Sequence, residues 1–291
     1  MNSLSAPLNL TAYATPTACV EPLDNGWRMS LPAARSLRYR LAELHDYTHR
    51  PRRRFPWRPP FTVHLEARVS EARLPGTWGF GLWNNPFGLA LGFGGHFLLP
   101  ALPNAIWFFY ASPENWLSFR GNGSLSTRSN TPSVSSSKQN ASFLNPTPDT
   151  SYPGNGLLAQ VFSAPRIPSL LLAAAGLLTS PILLSLFATR TTRRWLRRAA
   201  RLLIGEEAVR LSMDPTDWHS YRIEWSRNRS VFWVDGVRVL ETPVSPRPPL
   251  GLILWIDNQF AVFTPQGDIA SGVLPNPESH LMVRNLQVQQ G

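Results

Sequence analysis

The sequence predicts an all-β protein, a two-sheet β-sandwich interrupted by a disordered linker and an apolar-basic helical hairpin. Three observations carry this reading. Several stretches alternate apolar and polar residues with a period of two, as half-buried strands do. The 291 residues include 28 prolines and 19 glycines, a punctuation that favours strands and turns over long helices. The 11 tryptophans and 15 phenylalanines, within a hydrophobic content of 43%, supply a sizeable core.

Taken in order, residues 1–26 are polar and irregular, a loose arm or a first edge strand. The first part of the sandwich spans 27–120. Within it "SLRYRLAEL" (36–44) is strand-like, while "HRPRRRFPWRPP" (49–60) holds five arginines and four prolines and is expected to be extended and solvated. "FTVHLEARVSE" (61–71) alternates cleanly, with Phe61, Val63, Leu65, Ala67 and Val69 on one face. "GTWGFGLWNNPFG" (76–88) is glycine-rich and aromatic. "NAIWFFYAS" (104–112) puts Ile106, Phe108 and Tyr110 on one face and Trp107 and Phe109 on the other. Residues 121–156 are Ser, Thr, Asn, Pro and Gly with few core formers, the composition of a disordered linker. Residues 157–207 form the insertion, and the β pattern resumes over 208–291. There "WHSYRIEW" (218–225) and "SVFWVDGVRVLE" (230–241) contain a hairpin turned at Asp235-Gly236, a pair that supplies the positive φ angles of a two-residue turn. Trp225 and Trp233, alternating within these strands, are expected in the core.

The formal net charge of +10 comes almost wholly from arginine, since Lys138 is the only lysine. Arginine binds the phosphates of nucleic acid and of lipid headgroups alike, so charge alone does not choose between them. Cys19 is the only cysteine, so no internal disulfide forms. The first 30 residues lack a charged start followed by an apolar run, and a cytoplasmic address is the expectation. No cofactor is expected: there is no Gly-x-Ser-x-Gly and no phosphate loop of the Walker kind. His64, His96 and His219 show no compact ligand spacing, so no metal is expected either.

The order of the later elements resembles that of the concanavalin A-like jelly rolls, particularly family 16 glycoside hydrolases of the laminarinase type. The residues that carry the resemblance are Trp218, His219, Tyr221 and Trp225, followed by Val234-Asp235-Gly236. "FTVHLEARVSEARLPGTWGFGLW" and the last strand "HLMVRNLQVQQ" are similar to further family segments. The resemblance covers about 180 residues in two blocks and implies a jelly-roll sandwich. It also implies where catalysis would sit. Family members carry Glu-x-Asp-x-(x)-Glu on one strand, and retaining hydrolysis needs two carboxylates about 5–5.5 Å apart. Here the corresponding stretch is "NAIWFFYASPENW", with no acid before Glu114. Glu66 and Glu71 lie on opposite faces of a strand, Asp214 and Asp217 form a turn pair, and Glu206 and Glu207 adjoin at an expected helix end. Either the cleft is non-catalytic or its acids come from separate strands.

The candidate ligand-binding residues are Trp83, Trp107 and Trp255 as stacking platforms, beside Asn84, Asn85, Asp257, Asn258 and Gln259. Planar aromatics stack on apolar sugar faces while carboxamides and a carboxylate fix hydroxyls. A strand end or bulge accounts for "WIDNQ" almost as well, and a simple turn for "WNNPFG".

Residues 167–189 carry no charge, and six arginines follow between 190 and 201. Pro168 and Pro181 sit where helices start, with Ser180 a natural cap. Leaving and returning on one face of a bilayer calls for an interfacial or re-entrant hairpin rather than a single crossing. Its membrane-binding residues are Leu170, Leu171, Leu172, Leu183, Leu184, Phe187, Arg193, Arg194, Trp195, Arg197 and Arg198, with Leu202 and Leu203 on the apolar face of the second helix. A helical cap on the sandwich and a dimer contact are the alternatives. The expected partners are a glycan, glycolipid or other amphiphile and an anionic membrane surface, not nucleic acid, with the protein peripheral or monotopic on the cytoplasmic side. The expected function is non-catalytic binding. The alternatives are a membrane-associated hydrolase with displaced carboxylates and an interaction protein with a vestigial cleft.

Overall fold

The structure, a computed structural model, describes residues 8–35, 38–86, 101–116, 118, 154–166, 198, 202–263 and 269–291. In chain order the first strands are β1 (Thr11–Ala14), β2 (Cys19–Leu23), β3 (Gly26–Leu31), β4 (Leu41–His45), β5 (Phe61–Val69), β6 (Thr77–Trp83), β7 (Ala105–Ala111) and β8 (Gly156–Ser163). The remainder are β9 (Gly205–Arg210), β10 (His219–Ser226), β11 (Arg229–Val234), β12 (Val237–Thr242), β13 (Gly251–Asp257), β14 (Gln259–Phe263), β15 (Ile269–Val273) and β16 (Ser279–Gln290).

They form two seven-stranded antiparallel sheets and one small hairpin. The first sheet has the order β1-β4-β13-β6-β7-β8-β9, the second β12-β11-β10-β5-β16-β3-β2, and β14 pairs with β15. Both sheets mix early and late strands: β13 lies between β4 and β6, and β16 between β5 and β3. The two sequence blocks therefore close one jelly-roll-like sandwich, which neither could form alone.

Period-two alternation decides which side chains meet between the sheets. Phe61, Val63, Leu65, Ala67 and Val69 of β5 are buried there, facing Ile106 and Phe108 of β7 and Leu252, Leu254 and Ile256 of β13. Aromatic rings lock the two layers. Tyr221 lies 5.0 Å from Phe80 and 4.9 Å from Phe108, whose ring also meets Phe232 edge-on at 5.3 Å. Each such contact adds to the burial gain of roughly 1.5–3 kcal/mol per large side chain.

The Asp235-Gly236 turn forms as expected, with φ of 50° and 77° and Val234 paired to Val237. The Asp235 carboxylate reaches back to β10, accepting from the Ser220 amide at 2.8 Å and lying 2.6 Å from His219 Nδ1. The family-like His219 thus holds the hairpin together.

Some expectations need correction. Trp225 is in the core, but Trp233 is on the outer face of the second sheet, with the Arg222 guanidinium 4.5 Å over its ring. Its strand neighbour Val234 takes the inward position because register, not hydrophobicity alone, chooses the face. Glu206 and Glu207 lie on β9 rather than at a helix end. Residues 156–163, within the stretch assigned to linker and insertion, are β8 of the first sheet. Helical backbone among the described residues is limited to a 3-10 turn, η1 (Arg52–Arg54), and to Arg198, Leu202 and Leu203. Apart from these three, the expected helical hairpin lies outside the described residues, as does the linker up to residue 153. No helix among the described residues is long and apolar enough to cross a membrane.

Candidate functional site

One face of the first sheet packs against the second sheet; the opposite, outer face has an apolar cluster of its own. Strand register places its side chains in rows. One row runs Glu43, Trp255, Gly79, Phe109 and Leu158 across β4, β13, β6, β7 and β8. The next runs His45, Ile253, Gly81, Trp107 and Gln160. A third joins Gly251, Trp83, Ala105, Phe162 and Glu206. At the far end Leu41, Asp257, Thr77 and Ala111 align.

The two β6 glycines make this arrangement possible. A side chain on Gly79 would meet Trp255 Cη2 at 2.7 Å, and one on Gly81 would meet the Trp107 Cα and Cβ at 2.6 Å. The Trp255 indole instead lies over the bare backbone of Gly79, β7 closes on Gly81, and the rings form a continuous wall. Trp107 is 6.1 Å from Trp83, 5.4 Å from Phe109 and 5.6 Å from Trp255 between ring centroids. Trp107 and Trp255 are only 9% and 7% exposed, while Trp83 is half-buried.

Each indole N–H is satisfied within the protein. Trp83 donates to the Tyr47 hydroxyl at 2.8 Å, Trp107 to Gln160 Oε1 at 3.2 Å, and Trp255 to Thr77 Oγ1 at 2.9 Å. The polar partners continue inward. Tyr47 donates to Glu43, which lies 2.7 Å from His45 Nδ1, and Gln160 donates to the buried Glu206 at 3.1 Å. The wall is thus a packed aromatic cluster without free donors, and half-buried Trp83 is its most exposed ring.

Asp257 closes the wall beside Trp255. Its Oδ1 accepts from the Thr77 hydroxyl at 2.8 Å and from the Thr77 and Gln259 amides at 3.2 Å each. Its Oδ2 accepts from the Tyr39 hydroxyl at 3.4 Å. Burial outweighs these bonds and raises the carboxyl to about 7. The same burial, with Asp257 and Glu43 nearby, drives the Tyr39 phenol far up.

Strand β7, where the family resemblance looks for catalytic acids, presents Ala105, Trp107, Phe109 and Ala111 to this outer face. Two carboxylates do come together from other strands. Glu43 is opposite Trp255, and Asp257 is two residues further along the same neighbour, which makes the acids diagonal neighbours. Among the described residues no group of three His, Cys, Asp or Glu side chains is placed to hold a metal ion.

Of the eight candidate residues, Trp83, Trp107, Trp255 and Asp257 share this face. Asn84 is a buried strut, donating to the Leu102 carbonyl and accepting from the Asn104 amide. Asn85 is at positive φ and offers its carbonyl to Arg52. Asn258 accepts from the Arg40 amide and donates to the Arg38 and Leu274 carbonyls. Gln259 begins β14, and its amide serves Asp257. The membrane-binding candidates lie outside the described residues except Arg198, which is exposed. Sequence reasoning missed Phe109, Tyr47, Gln160 and Glu43 as parts of the wall. The alternation of Glu43 and His45 with Ala42 and Leu44 was the available signal. An open depression of about 500 Å³ lined by Ala33, Ala34, Arg35, Pro275, Asn276 and Pro277 shares none of these residues.

No family model matches the chain, and no curated protein matches it in sequence. Solved structures with partial likeness include a family 16 glycoside hydrolase of Bacteroides ovatus bound to a glucan product. It is 7% identical, with a TM-score of 0.43, over 97% of this chain and 94% of that one. A Clostridium perfringens endo-β-galactosidase shows 11% identity and a TM-score of 0.41 over 99% of this chain and 61% of that chain. The binding domain of botulinum neurotoxin DC, in complex with rat synaptotagmin II, shows 8% and 0.38 over 97% and 44%. At these values none of the three assigns a family or an activity to this chain.

Proposed function

We propose that the protein binds a carbohydrate or another amphiphile with an apolar face on the outer side of its first sheet, without cleaving it. It does so while held at the cytoplasmic face of a membrane through the segment between β8 and β9. The observation that carries the ligand reading is the wall of Trp83, Trp107, Phe109 and Trp255. These rings cluster away from the inter-sheet core, the three indole N–H groups are satisfied within the protein, and half-buried Trp83 is the ring a ligand would meet first. Partners of this kind are held by stacking worth about 0.5–1.5 kcal/mol per aromatic contact beyond burial.

Affinity electrophoresis of the full chain through gels containing β-glucan, xylan or galactan tests it, with detergent-solubilised glycolipid as a further probe. Trp107→Ala and Trp255→Ala, each checked for folding by circular dichroism, are expected to lose retardation tenfold or more. A folded protein that no sugar or lipid engages sinks the reading. A second reading, a hydrolase with acids drawn from separate strands, is favoured by the diagonal Glu43 and Asp257 pair beside Trp255. Released reducing ends that vanish in Glu43→Gln would select it.

A further inference from the structure

The register that builds the aromatic wall also gathers four connections at one end of the first sheet. Gly251, Trp83, Ala105, Phe162 and Glu206 are the strand ends there. The segments arriving at or leaving them are 46–60, 84–104, 164–204 and 243–250. Their described stems are tied together by buried polar groups. Arg52 Nε donates to the Asn84 and Asn85 carbonyls at 2.8 and 3.0 Å. Asn104, itself buried, accepts from the amides of Ala164 and Arg247 at 3.1 and 2.8 Å and donates to the Ala164 carbonyl at 3.2 Å. The short bond from Trp57 to Asp46 and the Leu252 amide on the same carboxylate hold the arginine-rich turn against β13.

This end is basic and partly apolar. Arg53 and Arg54 of η1, Arg166, Arg198 and Arg247 are all exposed. None of these five lies within ion-pair distance of a carboxylate among the described residues. Leu202 is 88% and Leu203 47% exposed on the stem that enters β9, and the next residue, Ile204, is buried in the cluster of the aromatic face. Exposed arginines and exposed leucines carried by segments that meet one sheet end complement a surface that is anionic outside and apolar just beneath.

We infer that this end of the sandwich is a docking surface for an anionic lipid bilayer, with η1 and the β12–β13 connection supplying headgroup contacts that the inserted segment alone does not. The inference rests on the membrane part of the proposed function and extends it to Arg53, Arg54 and Arg247, which are far from the insertion in sequence. It also orients the aromatic wall, because Trp83 stands at the docked end and a bilayer-borne ligand meets the wall there first.

Co-sedimentation of the full chain with vesicles tests this, using phosphatidylcholine alone and phosphatidylcholine mixed with phosphatidylserine. The unaltered chain is expected to prefer the mixed vesicles and to be released by salt. Each neutralised arginine near the surface costs roughly fivefold in partitioning, so Arg53→Gln/Arg54→Gln/Arg247→Gln should lose about 100-fold. Arg73→Gln, at the opposite end, should lose nothing. The side chains exchanged are exposed, and an unchanged melting temperature confirms that the triple variant folds. Mixed-vesicle binding that survives the triple exchange overturns the inference while leaving the membrane reading intact. Failure of the unaltered chain to bind any vesicle overturns both. Tighter binding to duplex DNA than to mixed vesicles makes the basic end a nucleic-acid surface instead.

Discussion

Asp257 shows how far one buried carboxyl can couple this fold to pH. Its ordinary value of 3.8 rises to about 7 because burial penalises the anion more than its hydrogen bonds repay. Asp46, under the η1 turn, rises to about 6 for the same first cause. A folded-state value raised above the unfolded one means the native protein holds a proton that the unfolded chain releases. The stability this contributes is fully present below about pH 4 and is lost as pH climbs to about 7. The span from 3.8 to about 7 corresponds to at most about 4 kcal/mol. The melting temperature is therefore expected to fall between pH 5 and pH 8, and calorimetry at the two values checks it. Asp257→Asn keeps an acceptor for Thr77 and a polar group for Tyr39 and should flatten that slope; an unaltered slope would remove Asp257 as its source. The position of Asp257 near Trp255 was legible in "WIDNQ". Its burial was not, because Tyr39, just before β4, and Thr77 of β6 are distant in sequence.

At the scale of elements, β6 is the strand on which the face depends. Its glycines look like punctuation in "GTWGFGLW", yet Gly79 is a space filled by the Trp255 indole, and Gly81, at φ 153°, one filled by the Ile106–Trp107 backbone. Gly79→Ala would put a methyl 2.5 Å from the Phe108 carbonyl and 2.7 Å from the Trp255 ring. Neither the strand nor a ring wedged against Phe109 can yield cheaply, so a loss of about 1–3 kcal/mol is expected in urea denaturation, with a shifted tryptophan emission. Wild-type stability in this variant would mean that the wall is loosely packed. The alternation of β5 and β7 and the Asp235-Gly236 turn are local and could be read directly. Trp233 could not be read, since an apolar residue beside a turn satisfies either face until the neighbouring strand fixes register.

For the whole molecule, the decisive feature is that early and late strands interleave in both sheets, so that segments far apart in sequence meet at one end. Asn104 is the joint between them. Asn104→Ala would leave the buried amide of Ala164 and the part-buried amide of Arg247 without their acceptor, and about 1–3 kcal/mol for each stranded group gives about 2–6 kcal/mol of destabilisation as an upper range. Urea midpoints check this, and a change within about 0.5 kcal/mol, the usual range for a surface exchange, would show that the stems are held by other contacts.

By itself the sequence determined the all-β sandwich class, the inward residues of its clearest strands, the hairpin turn and the absence of acids from β7. All of these depend on local pattern or on the mere presence of a residue type. Only the tertiary structure decided that Trp83, Trp107 and Trp255 form one wall with Phe109, that Asn84 and Asn258 are struts within the fold, and that η1 and the stems at 164–166 and 202–204 belong to the same end of the first sheet. Those facts depend on which strand pairs with which and in what register. Pairing in an antiparallel sandwich joins residues more than a hundred positions apart, through contacts that no local spacing encodes.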